Sequence, residues 1–205
     1  MSSAAVAPAP TAGPRPFAAR LLPFTLSFAL FGVGIAAAVV VSLTEQNLNV
    51  YRAKFAAWVS LALAGPAICA YVLGLSSPAR WSFWRWFWTF GYLAYLVHFY
   101  YAIRAFHFSP DDVYAKQGAV IATTNLVVTV WWGLDVLLAW VAPRDARLIE
   151  FERLLITALT AVSFFLASVV FRVGFGHNLG IVLTVLAAGC LIYRLLDAVA
   201  GDGEP

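Results

Sequence analysis

The chain reads as all-α: a polytopic integral membrane bundle of six transmembrane helices behind a disordered N-terminal tail. Two observations carry that reading. Of its 205 residues, 62% are hydrophobic and only 11% are charged, with a mean hydropathy of +0.84. Soluble domains carry about 25% charged residues, and so little polar surface would not cover a water-soluble globule. The apolar residues also fall into six runs, each near the roughly 20 helical residues that cross about 30 Å of hydrocarbon. Lipid offers no partner to loose backbone groups, and the runs lack the alternating ten-residue pattern of a barrel, so they are expected to be helices.

Residues 1–20 open with MSSAAVAPAPTAGPRPF, rich in Ala and Pro and without periodicity. They read as a disordered, solvated tail rather than a cleaved signal peptide, because the next apolar run exceeds a signal core. Residues 21–197 form one transmembrane domain. Its spans are expected at 22–43, 55–76, 84–106, 118–142, 154–171 and 178–196, and a polar C-terminal tail covers 198–205. No internal repeat is evident. Gly65-Pro66 interrupts the second span and reads as a kink; a broken helix with free carbonyls is the alternative.

Orientation comes from the basic residues. One side of the bundle collects Arg15, Arg20, Arg80, Arg85, Arg144, Arg147, Arg153 and Arg194, against Arg52, Lys54, Arg104, Lys116 and Arg172 on the other. The excess places both termini in the cytoplasm, with the chain integral to a cell membrane such as a bacterial inner membrane. The net charge of +3 does not signal nucleic acid, because the basic residues are scattered between apolar runs. The bilayer is the first partner, and another membrane protein the second. Cys69 and Cys190 lie within spans and read as free, buried thiols.

Trp81, Trp84, Trp86 and Trp88 crowd the start of the third span. Tryptophan favours the water–lipid boundary, so they are expected to anchor that end, with a stacking cage for a cofactor as the alternative. Further along, Gly91, Ala94, His98, Ala102 and Ala105 make a narrow stripe of small residues that would let a neighbouring helix approach. His98 would then sit in a helix seam. Counting about 1.5 Å per residue from each span's midpoint brings Asn125 and Thr129 of the fourth span to a similar depth, which predicts a hydrogen bond from His98 to one of them. Asp135 is the costliest intramembrane residue, since an unpaired charge is expensive in hydrocarbon. Depth predicts an ion pair with Arg194 or Arg85; an inner-side proton or cation site is the functional alternative.

Outside the spans, Glu45, His107, Asp111, Asp112 and His177 suggest a metal site, or a haem clamped by His107 and His177. Ser109-Pro-Asp-Asp112 also reads as an ordinary helix start: a capping serine, proline at the first position and acids at the positive end of the dipole. His177, among glycines in VGFGHNLG, reads as a loop residue.

The segment RWSFWRWFWTFGYLAYLVHFYYAI resembles the ferric-reductase-like haem membrane proteins, in which an arginine-led span places a glycine and then a ligand histidine on one face. Gly91 and His98 are the matching residues, and the likeness covers about one span of the six. It implies a b-type haem with His98 as ligand. The second ligand histidine that those families carry on a later span has no counterpart within the apolar stretches of the fourth, fifth and sixth spans.

No nucleophile elbow, zinc-protease motif, phosphate-binding loop or Cys-x-x-Cys occurs, so the sequence leans away from an enzyme. It points first to a membrane-embedded accessory or assembly subunit, or a binder of a lipophilic ligand. The alternatives are a b-haem redox subunit using His98, His107 or His177, and a proton- or cation-linked transporter using Asp135.

Overall fold

The computed structural model describes residues 17–107, 109–143, 146–170 and 174–201, and among these it is helical throughout, with no strand. The order is α1 (Phe17–Ser42), α2 (Leu48–Val72), α3 (Pro78–Ala105), the short α4 (Pro110–Gln117), α5 (Ala119–Val141), α6 (Arg147–Phe165) and α7 (Phe175–Gly201). A π-helical turn, Leu166–Val170, extends α6. The disordered tail expected over 1–20 lies outside the described residues as far as residue 16, and α1 already runs from Phe17. Of the expected C-terminal tail, 202–205 lie outside them, while α7 continues through residues 198–201.

Several helices begin earlier than the apolar runs alone suggest, because their polar first turns are capped. The Asn47 side chain accepts from the Val50 amide at 3.3 Å and starts α2. Ser77 accepts from Arg80 at 3.2 Å, with Pro78 at the first position of α3. Ser109 does the same for Asp112 at 3.2 Å, so the expected helix start there is borne out as α4. Each cap meets an amide that lacks a partner within its helix. Pro66 lies inside α2, which continues through it; the GP pair does not break the helix in two.

Five helical segments are long and apolar enough to cross a membrane: Leu21–Ser42, Leu48–Val72, Ala119–Val141, Arg147–Val170 and Phe175–Ala200. α3, at 28 residues, is long enough, but Arg80, Arg85, Arg104 and its many tryptophans and tyrosines lower its hydropathy. It is nevertheless central, packing along α2 and against α1 and α5, while α7 lies on α2 and α6 on α5. The flanks of α1 and α7 present Phe28, Val33, Val40, Val185, Leu195 and Val199 outward. So continuous an apolar exterior is what lipid contact requires.

The small-residue stripe on α3 is where α2 approaches. A methyl group on Gly91 would stand 3.2 Å from the backbone nitrogen of Ala64, and Ser60 Oγ donates to the Gly91 carbonyl at 2.9 Å. A side chain there would have to move backbone rather than a flexible neighbour. Gly91→Leu is therefore expected to destabilise the bundle by about 1–3 kcal/mol, the usual cost of overpacking. Unfolding in mild detergent, followed by tryptophan emission, measures it; wild-type stability would refute the close α2–α3 contact.

Two of the four tryptophans, Trp84 and Trp88, depart from the expected boundary anchor, while Trp81 and Trp86 stay partly exposed. Trp84 and Trp88 are fully buried in the core beside Trp132. The rings of Trp88 and Trp132 lie 4.5 Å apart, and Trp86 packs edge-on against Trp140 at 4.5 Å. The large flat areas of Trp84, Trp88 and Trp132 are used to fill the bundle centre.

Candidate functional site

Two places gather polar groups inside the bundle. The first is built on Asp135. α5 carries it inward, fully buried, and its Oδ1 pairs with Arg153 Nε at 3.1 Å. Its Oδ2 accepts from Trp88 Nε1 at 2.7 Å. The guanidinium of Arg153 lies over Trp84, 4.7 Å from the ring centre, and over Trp81 at 5.1 Å. The Glu152 carboxyl adjoins that of Asp135 and accepts from Trp131 Nε1 at 2.6 Å. One carboxylate thus ties α3, α5 and α6 together.

This corrects the expected partners of Asp135. Arg194 instead donates to the Leu73 carbonyl at 2.9 Å and fastens α7 to the end of α2. Arg85 lies over the Trp140 ring at 4.1 Å. Depth arithmetic gives height along the bundle but not direction around each helix, and direction decides who meets whom. Apolar content alone bounds the fifth span at residue 154 and so leaves Arg153 outside it, among the loop cations. Helical spacing carries the missed signal: Arg153, Ile156, Thr157 and Thr160 recur at intervals of three, one and three, along one face, and all four are buried. A cavity of about 890 Å³ at this end is lined by Tyr71, Trp81, Arg147, Glu150 and Arg194 and reaches Arg153, without Asp135 in its wall.

The second place is around His98. Its Nδ1 lies 2.8 Å from the Ala53 carbonyl of α2, and a carbonyl only accepts, so Nδ1 carries a proton. The expected hydrogen bond to Asn125 or Thr129 on α5 is replaced by this one. The tyrosines of α3 reach α5 instead: Tyr95 donates to the Asn125 carbonyl at 3.3 Å, and Tyr92 to the Thr129 carbonyl at 3.1 Å. His98 lies one helical turn beyond Tyr95, rotated toward α2. Thr129 Oγ1 donates back to the Asn125 carbonyl at 2.6 Å, and Asn125 Nδ2 donates to Gln117 Oε1 at 3.3 Å.

Two cavities flank this group. One, of about 750 Å³, opens between α3, α4 and α5; the other, of about 270 Å³, lies toward α2 and α6. They share a wall of His98, Ala102, Phe106, Gln117, Asn125 and Ala167. Ala167 belongs to the π-helical turn, whose Ser168 lines the smaller cavity. Such turns recur where a helix is adapted to a site.

The remaining candidates lie on other elements. His107 comes just after the end of α3, with φ of 54°. It stands two residues past the end of α3, on the turn that leads to α4. His177 is in the first turn of α7 rather than a loop, with Nδ1 3.0 Å from the Val169 carbonyl. Among the described residues no three of His, Cys, Asp and Glu are grouped to hold a metal ion, so Glu45, Asp111 and Asp112 do not form the suggested site with the histidines. Cys69 and Cys190 are free thiols near each other on α2 and α7, half-buried rather than buried. No protein-family model matches the chain, and no curated protein or solved structure is significantly similar to it.

Proposed function

We propose that this protein crosses the membrane six times, with α3 as the sixth crossing and both termini cytoplasmic, and that it binds a lipophilic molecule in the cavities around His98. One observation carries the reading: a largely apolar space of about 750 Å³ with His98, Gln117 and Asn125 converging on one wall. Ligand sites are concave, mostly apolar, about 300–1,000 Å³ in volume, and oriented by a few polar groups. The buried ion pair at Asp135 supports the same reading by holding α3 against α5 and α6, which keeps the wall of the cavity in place. That arrangement favours a ligand binder over an assembly subunit, whose function would need no internal space.

Filling the shared wall tests it. Protein purified in mild detergent is expected to carry bound lipid, detected by extraction and mass spectrometry, at a ratio approaching one per chain. Ala102→Phe should remove that lipid while leaving thermal unfolding near wild type, since Ala102 faces both cavities. An unchanged lipid complement in a folded Ala102→Phe protein would defeat the proposal.

A further inference from the structure

Resting on that binding reading, we infer that the occupant is a single-chain amphiphile with an anionic head, such as a long-chain carboxylate, whose head lies toward Lys54 and Lys116. The charges around the cavities point there. Lys116 lines the larger cavity and Lys54 the smaller, and among the described residues no aspartate or glutamate lines either. Among the described residues the ion pair is Asp135 with Arg153, so neither ammonium has a carboxylate partner. Each rests on aromatic rings instead: Lys54 lies 5.1 Å from the Trp58 centre, and Lys116 lies 5.4 Å from that of Phe106.

Lysines near the ends of membrane helices extend toward water, with their stems along apolar surface. Two of them beside a space of low dielectric make it favourable to an anion and costly for a cation. The shared wall adds amides, Gln117 and Asn125, that serve a carboxylate as readily as an alcohol. Discrimination therefore falls to the lysines. The nearby acids, Asp111 and Asp112, lie in the first turn of α4, where the positive end of the helix dipole favours their charge, and neither lines a cavity. The alkyl chain has its own place, among Phe99, Ile103, Val113, Ile121 and Leu126.

The test uses the full chain in phosphatidylcholine nanodiscs, with cis-parinaric acid as the fluorescent probe excited by transfer from tryptophan. Palmitate and hexadecan-1-ol, which share a chain length, compete for it. Palmitate should displace the probe at a concentration lower by about tenfold or more, the worth of one charge-assisted hydrogen bond. The Lys54→Gln/Lys116→Gln protein should lose that preference and still bind the alcohol. Comparing the two proteins cancels the different partitioning of acid and alcohol into the bilayer. An equal preference in wild type and variant, or a preference for hexadecylamine, overturns the anionic head and leaves the binding reading standing. Failure of parinarate, acid and alcohol alike to bind overturns both.

Discussion

Arg153→Met is expected to destabilise the bundle by about 3–5 kcal/mol, the cost of leaving a buried carboxylate without its cation. Asp135 is fully buried, and Arg153 is 3% exposed, so neither has water to fall back on. The double variant Asp135→Asn/Arg153→Met should recover most of the loss. It removes both charges together, and the asparagine oxygen still accepts from Trp88, whose indole sits 2.7 Å from Asp135 Oδ2. Replacing a whole buried pair by neutral groups is often close to neutral in stability. Denaturant unfolding in mild detergent, run as a double-mutant cycle, gives the coupling. Single and double variants of equal stability would show that the pair holds nothing in register.

The second large effect concerns two indoles that sequence alone treats alike. Trp88 and Trp132 are both fully buried and pack at a tilt, their ring centres 4.5 Å apart. Trp88 donates to Asp135, whereas Trp132 Nε1 has no hydrogen-bond partner among the described residues. Trp88→Phe should cost about 1.5–3 kcal/mol, the range for a hydrogen bond to a charged group. Trp132→Phe removes an unsatisfied donor and should cost less than about 1 kcal/mol. Trp132→Ala is different, because lipid does not reward re-exposure of the ring, but the void remains. A deletion of about 140 Å³ at about 24 cal/mol per Å³ gives about 3 kcal/mol. Equal losses for the two phenylalanine variants would show that the indole–carboxylate bond does not contribute.

Both predictions concern the fully buried part of the bundle, and the cavities around His98 lie beyond it along the helices. Tyr92 and Tyr95 hold α3 to α5, and His98 holds α3 to α2. Between those two seams the helices diverge around the space that Gln117 and Asn125 face.

The helical class and the long apolar elements are legible in the residues themselves. Length and hydropathy are properties of each segment alone, and a helix satisfies its own backbone, so α1, α2, α5, α6 and α7 can be placed without knowing their neighbours. The Ser109 cap is legible for the same reason, since its partner amide is three residues away. The small stripe through Gly91 announces that a helix comes close, though not that it is α2. Boundaries are legible only in part, because the polar first turns of α2, α3 and α6 look like loop when apolar content is the guide.

The pairings belong to the tertiary structure. Asp135 needs a cation, which its cost in hydrocarbon makes predictable, but Arg153 is selected over Arg85 and Arg194 by the rotation of α6 about its axis. His98 needs a partner, and the tilt of α2 supplies the Ala53 carbonyl. The cavities depend on how six helices diverge together, and no single segment encodes that. Local chemistry decides which groups must be satisfied; the relative rotation and tilt of packed helices, set by the fit of side chains from distant parts of the chain, decide what satisfies them.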